Sequence, residues 1–296
     1  MKLLIIGSTG FIGSHCLDFF SKDHEVYTID TTPAREFNHF VIDPYNPNFE
    51  IIFKNIQFEV CINCVGSANV SYSFEHPYND FRLNVAIVIN ILTAIKQFNN
   101  QCKFINFSSA SVYGNPEHLP INEKAPLKPL SPYGFHKLQS EILLTEYHRF
   151  FGLKTCSLRV FSAYGERLKK QLFWDLYLKV NQSNKVVLFG DGNESRDFIY
   201  IQDLVQAINI IVHKAQFCGE AINVASGVEI SIQTAAKIFS NLYSSAKEIE
   251  FNGQVKVGDP RNWKADITAL SSLGFSPKFN IETGINNYVQ WLKQNV

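Results

Sequence analysis

The chain opens on a short apolar run, Lys2–Ile6, which breaks into Gly7-Ser8-Thr9-Gly10-Phe11-Ile12-Gly13. Apolar residues then return at helical spacing as Cys16, Leu17, Phe19 and Phe20. That pattern reads as strand, glycine turn, helix. A second strand, Glu25–Asp30, ends on an acid. The alternation continues with a strand over 40–42 ending at Asp43, a helix over 49–56 and a strand over 59–63. A long helical region over 70–98, interrupted near Pro77, a strand over 103–108, a helix from Pro132 and a strand over 155–160 follow. Strands alternating with helices predict an α/β fold, a doubly wound parallel sheet with helices on both faces.

Past about residue 165 the segments shorten and lose regularity. Gly190-Asp191-Gly192 predicts a turn, residues 196–200 a strand, and residues 201–214, 232–243 and 281–293 helices. The expected division is a dinucleotide-binding domain over 1–165 and a smaller mixed α/β lobe over 166–296, with some exchange of chain between them.

Composition narrows the classes. Of 296 residues 46% are hydrophobic and 18% charged, ordinary for a soluble globular chain. Lys+Arg and Asp+Glu are both 27, so no field argues for nucleic acid or an anionic membrane. No apolar run reaches the roughly 18 residues a membrane span needs, and the first residues reach glycine too soon for a secretory leader. The expected compartment is the cytoplasm. Six cysteines are too sparse for a disulfide scaffold. Cys61-x-x-Cys64 falls inside a strand-like run without a second pair, and reads as buried free thiols. No metal site is expected.

The glycines of the first turn have separate tasks. Gly7 makes the tight turn, Gly10 lets the backbone approach a pyrophosphate, and Gly13 lets the helix pack close to the strand. The helix N-terminus offers free N–H groups to the phosphates. Asp30, about 20 residues on, stands where a ribose diol binds. Its charge would repel a 2′-phosphate, which favours NAD over NADP, a preference that the nearby Arg35 moderates. Each predicted strand ends on a candidate ligand residue: Gly7, Asp30, Asp43, Cys64-Val65-Gly66, Ser108-Ser109 and Phe161-Ser162. In such sheets ligands sit at the carboxyl ends of the strands.

Tyr133 and Lys137 are four residues apart in Ser131-Pro132-Tyr133-Gly134-Phe135-His136-Lys137. On a helix capped by Ser131 and started by Pro132, they share one face. The helix is expected to continue through Leu138, Ile142, Leu143, Tyr147 and Phe150. An ammonium beside a phenol favours the phenolate, which makes the pair a candidate general base. A buried tyrosine and a solvated lysine fit the same spacing. Ser109, at the same sheet edge, can hold a substrate hydroxyl and pass its proton on.

Taken in order, Gly7-x-x-Gly10-x-x-Gly13, Asp30, Asp43, Ser108-Ser109-Ala110-Ser111-Val112-Tyr113-Gly114, Tyr133-x-x-x-Lys137, Leu158-Arg159-Val160-Phe161, Arg196-Asp197-Phe198-Ile199-Tyr200-Ile201-x-Asp203 and Gly258-Asp259-Pro260-Arg261 resemble the extended short-chain dehydrogenase/reductase superfamily. The likeness runs nearly end to end and is to its NAD-dependent nucleotide-sugar epimerase/dehydratase branch. The resemblance implies a Rossmann sheet with a nucleotide-sugar-binding lobe. It implies Tyr133 as base on the sugar hydroxyl, Lys137 as its partner and ligand of the nicotinamide ribose, and Ser109 as the bridge. Phe11, Ile12, Asp30, Asp43, Cys64, Val65, Gly66, Asn84 and Phe161 would line NAD. Ser162, Arg196, Lys256 and Arg261 would meet the nucleotide-diphosphate sugar, although Arg196 beside Asp197 also suits a structural ion pair. A homodimer through the helix around residues 84–98 and the Tyr133 helix is implied as well. The apolar load of Val85, Ile87, Val88, Ile91 and Leu92 suits either that interface or the chain's own core.

Three positions depart from the branch's pattern. Ser162 stands where asparagine is frequent, and Lys256 where an arginine is frequent. Ser109-Ala110-Ser111 replaces the Thr-Asp-Glu of sugar 4,6-dehydratases, so the acid and base for eliminating water are missing. The expectation is epimerisation at carbon 4 through a transient 4-keto sugar. A dehydratase or ketoreductase of the same superfamily is the alternative, and a non-catalytic NAD-binding regulator a more distant one. The loops around 69–76, 167–174 and 256–263 would choose the sugar and base.

Overall fold

The computed structural model describes every residue except 35–37, 184 and 245–247, so Arg35 lies outside the described residues. Strand β1, Lys2–Ile6, buries Leu3, Leu4, Ile5 and Ile6 completely. Complete burial on both sides marks the centre of a parallel sheet. Because successive side chains alternate, Leu3 and Ile5 enter one core while Leu4 and Ile6 enter the other. Helix α1 (Phe11–Phe20), β2 (Glu25–Asp30), β3 (His39–Val41), α2 (Glu50–Asn55) and β4 (Val60–Asn63) follow.

Three helical pieces come next: α3 (Val70–Glu75), α4 (Pro77–Phe81) and α5 (Ile87–Phe98), with Arg82–Ala86 forming a π-helical turn between the last two. The break falls at Pro77, as expected from its missing N–H. Read through the π turn, Pro77–Phe98 is one helix of 22 residues with a mean hydropathy of 1.3, long and apolar enough to span a bilayer. That corrects the expectation that no stretch qualifies, which considered uninterrupted apolar runs. Val88, Ile91 and Leu92 are spent in the chain's own core, while Phe81 and Ile89 remain 38% exposed.

Strand β5 (Lys103–Ser109) leads through a loop to α6 (Pro132–Phe151). The Ser131 hydroxyl accepts the Gly134 N–H at 3.1 Å, Pro132 takes the first turn, and Gly152 ends the helix at φ 68°. The inward face is of mixed polarity. It carries Tyr133, Lys137, Ser140, Glu141, Leu144 and Tyr147, while Ile142 and Phe150 are exposed.

After β6 (Lys154–Val160) come β7 (Ser162–Tyr164), α7 (Gln171–Gln182), β8 (Lys185–Leu188), β9 (Ser195–Tyr200), α8 (Ile201–Lys214) and β10 (Cys218–Val224). The chain ends with β11 (Glu229–Ser231), α9 (Ile232–Tyr243), β12 (Glu248–Phe251), α10 (Thr268–Ser272) and α11 (Ile281–Asn295). The large sheet has the order β10-β6-β5-β4-β1-β2-β3, all parallel. Its strand order reverses between β1 and β4, which opens the ligand crevice of such folds. Strand β10, a segment without a predicted strand, returns from the second half to close the sheet beside β6. Helix α8 likewise joins the core on the α1 side. Two smaller sheets have the orders β11-β9-β7 and β12-β8.

Candidate active site

Gly7 turns the chain at φ 82°, a left-handed value that glycine takes without steric cost. A side chain on Gly13 would overlap the Gly7 carbonyl oxygen, so α1 packs directly on the turn. No side chain caps α1 at Gly10, which leaves its first N–H groups to an outside acceptor; Phe11 and Ile12 begin that turn, half-buried. One Asp30 oxygen accepts the Thr9 N–H at 2.9 Å and the Thr9 hydroxyl at 2.7 Å, and the other the Thr31 N–H at 2.7 Å. Asp43 stands exposed past β3, its carboxylate accepting the Tyr45 N–H at 2.8 Å.

Cys64, Val65 and Gly66 leave β4 beside this turn; the Val65 nitrogen lies 3.0 Å from where a Gly7 side chain would begin. Cys61 and Cys64 are free thiols, and burial raises the Cys61 pKa. A Cβ at Gly66 would stand 2.8 Å from Asn84 Oδ1 and 3.0 Å from Lys137 Nζ. Asn84 is 1% exposed in the π turn, and both its amide atoms lack partners among the described residues. A buried amide without partners beside a bare glycine is a seat for a polar group from outside the chain. With the uncapped helix start and the Asp30 carboxylate, these residues fit a dinucleotide.

Ser109 ends β5, and α6 brings Tyr133 and Lys137 to it. The Tyr133 hydroxyl is within hydrogen-bonding reach of Ser109. The Lys137 ammonium donates to the Phe107 carbonyl at 2.7 Å and lies 5.8 Å from the Tyr133 ring centre. Burial pushes the Tyr133 phenol up to about 12, with Ser109 pulling against it and Asp80 adding to the rise. Burial also pulls Lys137 down to about 8, opposed by Asp80 and Glu141 and aided by Lys170. The expectation of an acidified Tyr133 is therefore corrected for the chain by itself: desolvation of the phenolate, with Asp80 adding to it, outweighs the Ser109 hydrogen bond.

This has a measurable sign. Lys137 binds fewer protons folded than unfolded between about pH 8 and its ordinary 10.5. Its charge therefore opposes folding below pH 8, and stability rises as pH climbs through that window. Against Lys137→Met, the wild type should gain about 2–3 kcal/mol between pH 7 and pH 10 in denaturant titrations. An equal difference at both pH values would mean that Lys137 titrates as an exposed lysine.

The alternative of a structural pair between Arg196 and Asp197 does not occur. Asp197 is fully buried and accepts the N–H groups of Ser226, Gly227 and Ala265 and the Ser226 hydroxyl. Arg196 turns the other way, donating to the Ser195 and Arg261 carbonyls and lying 5.4 Å from the Trp263 ring centre. Trp263 packs edge-on against Phe161, which precedes the half-buried Ser162 at the start of β7. The Arg261 guanidinium meets Asp191 at 3.3 Å. Lys256 is exposed near Phe74, and the adjoining Gly258 abuts Val70 and Ser131 at the mouth of α6. A cavity of about 960 Å³ opens instead between the 115–128 loop and β10, and none of the expected site residues lines it.

Sequence reasoning passed over the network that seats α6. The buried Glu141 carboxylate accepts Arg159 Nη2 at 2.7 Å and Nε at 3.0 Å, and the Ser108 hydroxyl at 2.5 Å. Arg159 Nη1 donates to the Tyr113 hydroxyl at 2.8 Å, which in turn donates to Asn223 at 2.7 Å. The one available signal was Glu141 four residues beyond Lys137.

The sequence model of the NAD dependent epimerase/dehydratase family matches residues 3–225. A putative UDP-glucose 4-epimerase of Methanocaldococcus jannaschii is 32% identical, covering 99% of each chain. The UDP-N-acetylglucosamine 4-epimerase of Methanobrevibacter ruminantium superposes with a TM-score of 0.90 at 26% identity, covering 100% of this chain and 99% of that one. The UDP-glucuronic acid 4-epimerase of Bacillus cereus, solved with UDP-glucuronic acid and NAD, superposes at 0.90 and 27%, covering both chains fully.

Proposed function

This chain belongs to the NAD dependent epimerase/dehydratase family, and from that premise we propose that it inverts carbon 4 of a UDP-linked hexose. The reaction class is the one named for its relatives: NAD-dependent epimerisation of a nucleotide sugar at carbon 4. The uridine base and the roles of individual residues are our reading. The observation that carries it is the meeting of Tyr133, Ser109 and Lys137 at the edge where Gly66 and Asn84 form an open polar seat.

Gly7, Gly10, Phe11, Ile12, Gly13, Asp30, Asp43, Cys64, Val65, Gly66, Asn84 and Phe161 would hold NAD. When bound, NAD would supply the redox half of the reaction, reversible hydride exchange at carbon 4 without net consumption. The chain supplies the proton half. The Tyr133 oxygen takes the proton of the 4-hydroxyl, directly or through Ser109, and gives it back after the flat 4-keto sugar has turned in the cleft. Lys137, fixed on the Phe107 carbonyl, orients the phenol and offers positive charge beside the forming phenolate. Arg196, Arg261, Lys256 and Ser162 would meet the diphosphate end, where the guanidinium fork of an arginine suits phosphate oxygens.

We read residues 1–165 as the NAD-binding domain and 166–296 as the sugar-nucleotide lobe, with β10 and α8 returning to the large sheet. We also read the chain as a homodimer. Phe81, Ile89, Phe135 and Ile142 expose 38%, 38%, 52% and 57% of their surfaces on α4, α5 and α6, an apolar face that a second copy would cover. Six free cysteines suit a reducing cytoplasm. The test is incubation of the purified protein with UDP-, dTDP-, GDP- and CDP-sugars and catalytic NAD, followed by NMR. Interconversion of a UDP-sugar pair without net change at 340 nm is expected. A stable keto sugar, or no turnover across the panel, would defeat the reading.

A further inference from the structure

One buried charge near the Tyr133 site has no part in the scheme above. Asp80, on α4, is 0% exposed. Its Oδ2 meets His136 Nδ1 at 2.6 Å, and its Oδ1 is buried without a partner among the described residues. A carboxylate in the interior with one oxygen unpaired is costly unless a positive charge lies within reach. His136 immediately precedes Lys137 on α6, and its ring stands edge-on to Phe81, the residue after Asp80. On the other side, Asn84 lies one helical turn beyond Asp80, beside Gly66 and the Lys137 ammonium. Asp80 is thus wedged between the turn that carries Lys137 and the turn that carries Asn84.

We propose that Asp80 is a positioning residue for the reaction: with His136 as its hydrogen-bonded anchor, its carboxylate is the counter-charge that keeps the Lys137 ammonium protonated beside Tyr133. The charged groups acting on Lys137 come from three directions. Asp80 on α4 and Glu141 on α6 favour the ammonium, and Lys170 ahead of α7 opposes it. Glu141 is already engaged by Arg159 and Ser108, which leaves Asp80 as the carboxylate with an open oxygen. The same charge acts against the Tyr133 phenolate, so the site holds Lys137 charged at the expense of a more basic tyrosine. The His136 hydrogen bond aims the carboxylate, and exchange of the imidazole for another donor should keep the effect.

The inference rests on the epimerase reading only for its kinetic consequence, so its test begins in the resting protein. Lysine side-chain NMR across pH 6–10 should place the Lys137 titration at least one pH unit lower in Asp80→Asn than in the wild type, a tenfold shift in its protonation equilibrium. His136→Gln, which keeps a donor to Asp80, should leave it within about twofold. Asp80→Glu, which keeps the charge, should hold the Lys137 titration within about twofold of the wild type. On whichever sugar turns over, Asp80→Asn should lose kcat tenfold or more above pH 8 with KM within twofold. An unmoved Lys137 in Asp80→Asn, or the same fall in Asp80→Glu, overturns the proposal whether or not the protein epimerises anything.

Discussion

Tyr133→Phe should lower kcat about a thousandfold, within the 10²–10⁴ range for loss of a general acid–base group, while leaving the fold and KM nearly unchanged. A thousandfold loss corresponds to about 4 kcal/mol of transition-state stabilisation. The side chain is 7% exposed, and its ring stays in place when only the hydroxyl is removed. The lost hydroxyl leaves Ser109 as the group that must find another partner. Ser109 keeps the Ser111 N–H as a donor at 3.1 Å, so stability should change by no more than about 1 kcal/mol. Steady-state kinetics on the productive sugar, with thermal unfolding as control, decides the matter. A variant retaining a tenth of wild-type kcat would remove Tyr133 from the proton path and leave Ser109 or a water to take the role.

Arg159→Met should destabilise the protein by about 3–5 kcal/mol, because it leaves the Glu141 carboxylate buried without its counter-charge. Arg159 is 5% exposed and Glu141 6%. The guanidinium also holds the Tyr113 hydroxyl and the Glu123 carbonyl at 2.8 and 2.9 Å, so one truncation strands several groups. Arg159→Met/Glu141→Leu should recover much of the loss, since a buried ion pair exchanged as a unit for apolar side chains is often near neutral. Denaturant unfolding of the two single variants and the double variant reads the coupling directly. A single-variant loss under about 1 kcal/mol would show that water reaches the pair, making it a surface bridge in effect. The consequence for function is positional. Glu141 lies one helical turn past Lys137, so the network joins the Lys137 turn of α6 to β5 and β6.

The cofactor half of the site was legible because its residues are tied to backbone geometry. Gly7 and Gly13 are needed where a side chain would collide, and Asp30 is needed at a strand end; both requirements leave marks at fixed sequence distances. Tyr133 and Lys137 were legible for a similar reason, since one helix carries both at one spacing. The residues that seat them were not. Glu141 meets Arg159 on β6 and Ser108 on β5, and Asp80 meets His136 across two helices. No periodicity records which charged side chain turns inward when the helix presents a face of mixed polarity.

Helix α6 makes the point most plainly. Its apolar residues showed that the helix continues but not which side turns inward: Ile142 and Phe150 are exposed, and the inward face carries Lys137, Ser140 and Glu141. Local pattern scores transfer from water to an apolar interior, and it cannot see a carboxylate whose desolvation is offset by a guanidinium 18 residues further along. Likewise β10 lacks a strong strand pattern but completes the sheet because the β6 edge would otherwise stand unpaired.

What the chain's linear order determined by itself was the alternation that builds the sheet, the glycine turn and the Tyr133–Lys137 spacing, all consequences of short-range sterics and helix period. What only the tertiary structure decided was the electrical state of that pair. Burial, with Asp80 and Glu141 on one side and Lys170 on the other, sets where Tyr133 and Lys137 hold their protons, because desolvation and charge act through space and not along the sequence.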